Sequence, residues 1–67
     1  MGREKEAYRN NLESVLEFLK TKYGDGRHML NNLDLREYTG LGYDYVRKNY
    51  LKGNRYVSAE TFSRMLS

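Results

Sequence analysis

The amino-acid sequence predicts a small all-α domain of four helices, and three observations support that expectation. Tyr8, Leu12, Val15, Leu16, Leu19 and Tyr23 recur at steps of 4, 3, 1, 3 and 4, which paints one apolar stripe on a helix. Phe62, Met65 and Leu66 make a second stripe at helical spacing near the other end of the chain. Between them, the run from Leu35 to Tyr50 is interrupted only at Thr39-Gly40-Leu41-Gly42, so it reads as two short helices meeting at a tight corner. Helix, glycine corner and helix together form a helix-turn-helix pattern, and the rest of the chain is expected to pack around it.

Taken in order, the first helix is expected from about Glu4 to Tyr23. Its outer face is charged, with Glu13 and Glu17 one turn apart and Glu17 able to meet Lys20, a pairing worth a few tenths of a kcal/mol. Lys20 and Lys22 suit the negative end of the helix dipole, and Gly24 offers a C-cap. The charges balance on that face, which argues against a helix lying on a membrane. Gly24-Asp25-Gly26 then turns the chain, and Met29 and Leu30 are expected to fold back onto the first helix. Asn31 or Asn32 is the N-cap of the next helix, with Asp34 in its first turn where negative charge is favoured.

Gly40 closes that helix in a left-handed conformation, which glycine adopts without steric cost. Leu35, Leu41 and Val46 are expected to pack the two helices of the motif together. Two residues fit the pattern less well. Arg36 falls where the motif has a small residue, and Asn49 falls near an apolar position, with Tyr50 the better core candidate. Beyond Leu51, Tyr56-Val57 beside the Gly53-Asn54 turn suits a minimal hairpin between the last two helices, a rudimentary wing. Ser58 is the N-cap of the last helix, with Glu60 in its first turn. No repeat or linker divides the chain, so residues 1–67 are expected to form a single domain.

Composition narrows the function classes. A chain of 67 residues buries only about 60% of its unfolded surface, which leaves a small core and little room for a catalytic cleft. The absence of Cys removes disulfides and thiolate metal sites, and a cytoplasmic location is expected on that ground. No apolar run has the length of a signal or membrane-spanning segment, so no membrane partner is expected. The lone His28 has no second His or Cys to join it, so neither a metal nor a cofactor is expected and His28 takes a surface or packing role. With no phosphate-binding glycine loop and no nucleophile paired with a base, the chain is not expected to be an enzyme.

Charge is where the sequence becomes specific. The net charge of +3 is mild, and residues 1–26 balance five basic against five acidic side chains. Residues 27–67 carry seven basic against four acidic, so the whole excess lies in the half with the glycine corner. Between Val46 and Val57 stand Arg47, Lys48, Lys52 and Arg55 with no acidic residue. With Val46 pointing inward, Gly42, Tyr43, Arg47 and Lys48 are expected to face outward near the helix start that enters a DNA major groove in proteins of this kind. Arg47 is the candidate base reader, because its planar fork bonds guanine O6 and N7 together. Tyr43 offers a contact to a thymine methyl or a phosphate, and Gly42 lets the backbone come close. Asp44 either stabilises the helix start or accepts from cytosine N4. Lys48, Lys52 and Arg55 are candidate phosphate clamps, and Tyr45 and Asn54 complete the expected DNA-binding set.

Of the seven tyrosines, Tyr8, Tyr23 and Tyr50 lie on apolar stripes and are expected in the core with their hydroxyls at its edge. Tyr43, Tyr45 and Tyr56 cluster with the basic residues and suit either DNA or a protein partner.

The run Leu33-Asp34-Leu35-Arg36-Glu37-Tyr38-Thr39-Gly40-Leu41-Gly42-Tyr43-Asp44-Tyr45-Val46-Arg47-Lys48 carries a family resemblance. So do Gly53, the run Tyr56-Val57-Ser58-Ala59-Glu60-Thr61-Phe62 and the opening Gly2 to Arg9. Together they resemble small helix-turn-helix proteins of phages and conjugative elements of Gram-positive bacteria, including excisionase-like proteins and phage regulators. The resemblance implies binding of double-stranded DNA through the helix beginning near Tyr43, and a role in regulating or excising a mobile element. The segment after Tyr50 is shorter than a full excisionase wing. The alternative is a protein-interaction module, such as a phage-encoded inhibitor of a host nucleic-acid enzyme, using the same Tyr and Arg surface. A homodimer across two half-sites stays open, since no heptad seam or spare apolar stripe marks one.

Overall fold

The computed structural model describes the backbone of residues 2–67 and the side chains of residues 6–67; the charged side chains of Arg3, Glu4 and Lys5 lie outside the described residues. Helix α1 runs Gly2–Tyr23 and turns its stripe inward, with Val15 and Leu19 fully buried and Leu12, Leu16 and Phe18 packed at the core's edge. It ends where Gly24, at φ 92°, donates its N–H to the Lys20 carbonyl at 2.8 Å. The expected Glu17–Lys20 pair is not formed. Lys20 instead reaches the exposed Asp25 at 3.8 Å, across the turn.

Strand β1, Met29–Leu30, pairs antiparallel with β2, Val57–Ser58, so that Leu30 lies opposite Val57 and Met29 opposite Ser58. This corrects the expected hairpin between the last two helices. The Gly53-Asn54 turn closes back on the preceding helix, with Asn54 N–H bonded to the Leu51 carbonyl at 3.0 Å. The strand after it finds its partner in the distant segment that begins at Met29. Burial decides the pairing: Leu30 and Val57 are both in the core, and the register places them side by side. Met29 faces outward, so only Leu30 of that pair folds onto the core.

Helix α2, Asn32–Thr39, is held at its start by a reciprocal cap. Asp34 N–H donates to Asn31 Oδ1 at 2.9 Å, while Asn31 N–H donates to Asp34 Oδ2 at 3.2 Å. Its end is closed by Gly40, at φ 75°, whose N–H reaches the Arg36 carbonyl. After the corner, helix α3 covers Tyr43–Val46 and continues into a π turn over Arg47–Leu51. The wider turn explains the packing. Val46 and Leu51 are five residues apart and both buried, a spacing that the π turn places on one face. Leu51 therefore takes the core position expected of Tyr50, which is half-buried beside it. Leu41 is also corrected. It is exposed, because the left-handed Gly40 swings the corner outward, and its N–H bonds Thr39 Oγ1 at 3.2 Å.

Helix α4, Ala59–Leu66, is capped by Ser58, whose Oγ accepts from Thr61 N–H at 3.0 Å, and it packs along α1. Its Phe62 is fully buried at the centre. Edge-to-face ring contacts run from Phe18 to Tyr38 (5.3 Å), on to Phe62 (5.7 Å), and then to Tyr50 (5.1 Å). This chain of rings joins α1, α2, α4 and the π turn, and it ends at Tyr45 on α3, 6.1 Å from Tyr50. The described residues are thus mostly helical, with a small two-stranded sheet, and none of the helices is long and apolar enough to cross a membrane.

Candidate functional site

The site is built on α3 and the loop that follows its π turn. Gly42 precedes the helix in extended backbone, at φ −80°, and the short helix leaves Tyr43, Asp44, Tyr45, Arg47 and Lys48 exposed around the inward-pointing Val46. Tyr43 and Tyr45 are each about half accessible, at 53% and 52%. The π turn ends in two consecutive left-handed residues, Lys52 at φ 51° and Gly53 at φ 88°, which throw the chain into the exposed loop Lys52–Arg55. Tyr56, just beyond, is exposed as expected.

A shallow recess of about 310 Å³ brings part of the predicted set together: Tyr43 and Arg47 from α3 meet Asn54 and Arg55 from the loop. Asn31, Asn32 and Leu33 at the start of α2 and the buried Leu51 complete its lining. Asp44, Tyr45, Lys48 and Lys52 do not line it. They are exposed on the same segment, where Asn49, also exposed, donates its amide to the Tyr45 carbonyl at 2.9 Å.

Two contributors were not legible as site residues in the sequence. Arg36, the poor fit to the motif, lays its guanidinium over the Tyr43 ring at 5.6 Å, so a long side chain serves where a small one was expected. Asn32 donates its side-chain amide to the Tyr43 carbonyl at 3.3 Å and ties α2 to the start of α3. The two stand four residues apart on one face of α2, a spacing too common in helices to single them out.

Electrostatics separates this region from the junction of α1 and α2. Among the described residues, none of Arg47, Lys48, Lys52 and Arg55 has a carboxylate within 4.0 Å, whereas Lys20, Lys22 and Arg27 all do. Those three cations thus have a carboxylate close by and these four do not; Arg9, Arg36 and Arg64 also have none within 4.0 Å among the described residues. Asp44 is the single acidic residue in the segment from Gly42 to Tyr56.

The paired cations converge on a second constellation where α1 meets α2. Asp34 is fully buried and accepts from Lys22 Nζ at 2.8 Å and from the Tyr23 hydroxyl, with Arg27 at 3.9 Å. Lys22 also bonds Glu37 at 2.8 Å. Burial pushes the Asp34 carboxyl up, but hydrogen bonds from Lys22, from Tyr23 and from Asn31 N–H outweigh it and hold the group below the usual carboxylate range. The bonds to Asp34 and then Glu37 raise the Lys22 ammonium well above its ordinary value. Tyr23 differs from expectation here. Its ring is exposed, under the Arg27 guanidinium at 4.1 Å, while its hydroxyl points into the protein. Tyr8 is half-buried under the Arg64 guanidinium at 5.8 Å and is not one of the side chains packed on the core, where the sequence placed it.

His28 is exposed, 3.7 Å from Glu60, in keeping with a surface role. No cluster of potential metal ligands occurs among the described residues. Comparison with known protein families, with curated proteins and with solved structures gives no match to this chain.

Proposed function

We propose that the protein binds double-stranded DNA, with α3 and its π turn entering the major groove, as a regulator of a phage or other mobile element. One observation carries this reading: an exposed helix face and its adjoining loop hold four basic groups free of carboxylate partners among the described residues. Such a field attracts a polyanion, and the short helix is narrow enough for a groove about 12 Å wide. In this reading Arg47 reads a guanine edge, Tyr43 meets a thymine methyl or a phosphate, and Lys48, Lys52 and Arg55 orient the helix by phosphate contact.

Selection of duplexes from a random pool, followed by fluorescence anisotropy on the winner, tests it. Four phosphate or base contacts by cations give a slope of log affinity against log salt of about −3 to −4. Arg47→Ala should weaken the selected duplex by roughly 1–3 kcal/mol and relax preference at one base pair. An Arg47→Ala protein that stays folded and binds the selected duplex as wild type does would remove the reader role.

A second reading is supported by Leu41, Tyr43 and Tyr45, three large apolar side chains exposed along the corner and α3. Aromatic groups beside arginine also make protein hot spots, so a protein-interaction module that inhibits a host nucleic-acid enzyme would use the same face. A stoichiometric protein partner retained by a chain that binds no duplex would favour it.

A further inference from the structure

The recess between α2, α3 and the loop after the π turn has a chemistry of its own. Arg47 and Arg55 line it without a carboxylate partner among the described residues, and no Asp or Glu contributes to its wall. Leu33 and Leu51 supply apolar surface beside them. Tyr43, its ring under the Arg36 guanidinium at 5.6 Å, is 53% exposed as a residue and offers an aromatic surface for stacking. The walls are tied together, by Asn32 to the Tyr43 carbonyl at 3.3 Å and by Asn54 N–H to the Leu51 carbonyl at 3.0 Å. At about 310 Å³ the space is the size of one small ligand.

We propose that this recess seats one nucleoside phosphate, its phosphate between Arg47 and Arg55 and its sugar and base against Leu33, Leu51 and Tyr43. Guanidinium forks bond phosphate oxygens in pairs, and a tyrosine face accepts any base. Another recess among the described residues lacks this chemistry. It is lined by Gly26, Arg27, His28, Met29 and Tyr56, and its one guanidinium already serves Asp34 and the Met29 carbonyl. The seat goes beyond groove binding, because its occupant is either one unit of a DNA backbone or a free nucleotide.

Heteronuclear NMR on the isotope-labelled full chain tests it with four probes: thymidine monophosphate, thymidine, inorganic phosphate and a short mixed-sequence duplex. Thymidine monophosphate should give saturating shifts at the Arg47 and Arg55 guanidiniums and the Leu33 and Leu51 methyls. Inorganic phosphate should move the guanidiniums alone, and thymidine neither set. Arg55→Ala, at an exposed position, should weaken thymidine monophosphate roughly tenfold, while Arg64→Ala leaves it unchanged. Equal, unsaturating shifts at Lys20, Arg64 and the recess overturn the seat. A duplex that binds while thymidine monophosphate leaves the recess unmoved overturns the seat and spares the DNA reading. Saturating thymidine monophosphate without duplex binding supports a free-nucleotide site and overturns the DNA reading.

Discussion

Asp34 shows how much one side chain decides in a domain of this size. A buried carboxylate is tolerated only when its lone pairs are filled, and here Lys22, Tyr23 and the Asn31 N–H fill them. The same group completes the cap of α2 and joins it to the end of α1, so one carboxylate orients two helices. Asp34→Ala should therefore cost roughly 3 kcal/mol, near the lower end for breaking a buried pair, since Lys22 keeps Glu37. The pH dependence has a defined sign. The folded carboxyl titrates below the unfolded value of about 3.9, so its stabilisation is present above that pH and lost as pH falls through the folded value. Lys22, raised in the fold, keeps its share at every pH below about 10.4 and loses it only above. Urea unfolding followed by circular dichroism should show a stability plateau from about pH 5 upward and an acid loss that is much smaller in Asp34→Ala. Matching acid profiles for the two proteins would show that Asp34 does not act this way.

At the scale of the element, α3 and its π turn trade regularity for placement. An unbroken α-helix to Gly53 would set Val46 above Tyr50, whereas the wider turn brings Leu51 inward and leaves Asn49 and Lys48 outside. The turn ends on Lys52 in a left-handed conformation that costs an L-residue roughly 1–2 kcal/mol. Keeping a lysine where glycine fits better is explained, in the proposed function, by a phosphate contact. Lys52→Gly should then stabilise the domain by roughly 0.5–1 kcal/mol, a rise of a few degrees in Tm, after allowance for glycine's extra freedom in the unfolded chain. The same variant should make the salt slope of duplex binding shallower by about one. Thermal melts and salt titrations of the two proteins side by side check both halves, and a slope that stays the same would take Lys52 out of the contact set.

Across the whole molecule, a single buried ring holds the layers together. Phe62 touches Tyr38 and Tyr50 edge-on and sits among the buried side chains of α1, α2 and the π turn. A chain of 67 residues has a net stability of roughly 3–10 kcal/mol, and a buried Phe→Ala change costs roughly 3–5. Phe62→Ala should thus remove about a third or more of that stability and lower Tm by more than about ten degrees, as followed by helical dichroism at 222 nm, while the smaller loss in Phe62→Leu costs less. A Phe62→Ala protein with an unchanged melting curve would mean that the core is organised around another residue. The two-stranded sheet adds a long-range tie, since β1 and β2 are too short to persist without the helices around them.

Local rules make the helices legible in the chain itself. The stripe of α1, the Asn31 and Ser58 caps, and the glycine closures at Gly24 and Gly40 depend on neighbours within one or two turns, and each stands where the sequence places it. So do the outward-facing Tyr43, Arg47 and Lys48, because the inward-pointing Val46 is legible in the sequence. The rest required the tertiary fold. Tyr50 lost its core place to Leu51 through a π turn that no local signal announced, Leu41 was swung outward at the Gly40 corner, and Val57 paired with Leu30 instead of forming a hairpin. Tyr23 left its expected role, and Lys22, in the last turn as expected, also found a carboxylate more than ten residues away, while Arg36 found its partner in Tyr43 across the corner. By itself the sequence determined which segments coil, where they stop and where the uncompensated positive charge lies. Only packing decided which side chains meet, because contacts between distant residues are chosen by competition for one small core and not by neighbours along the chain.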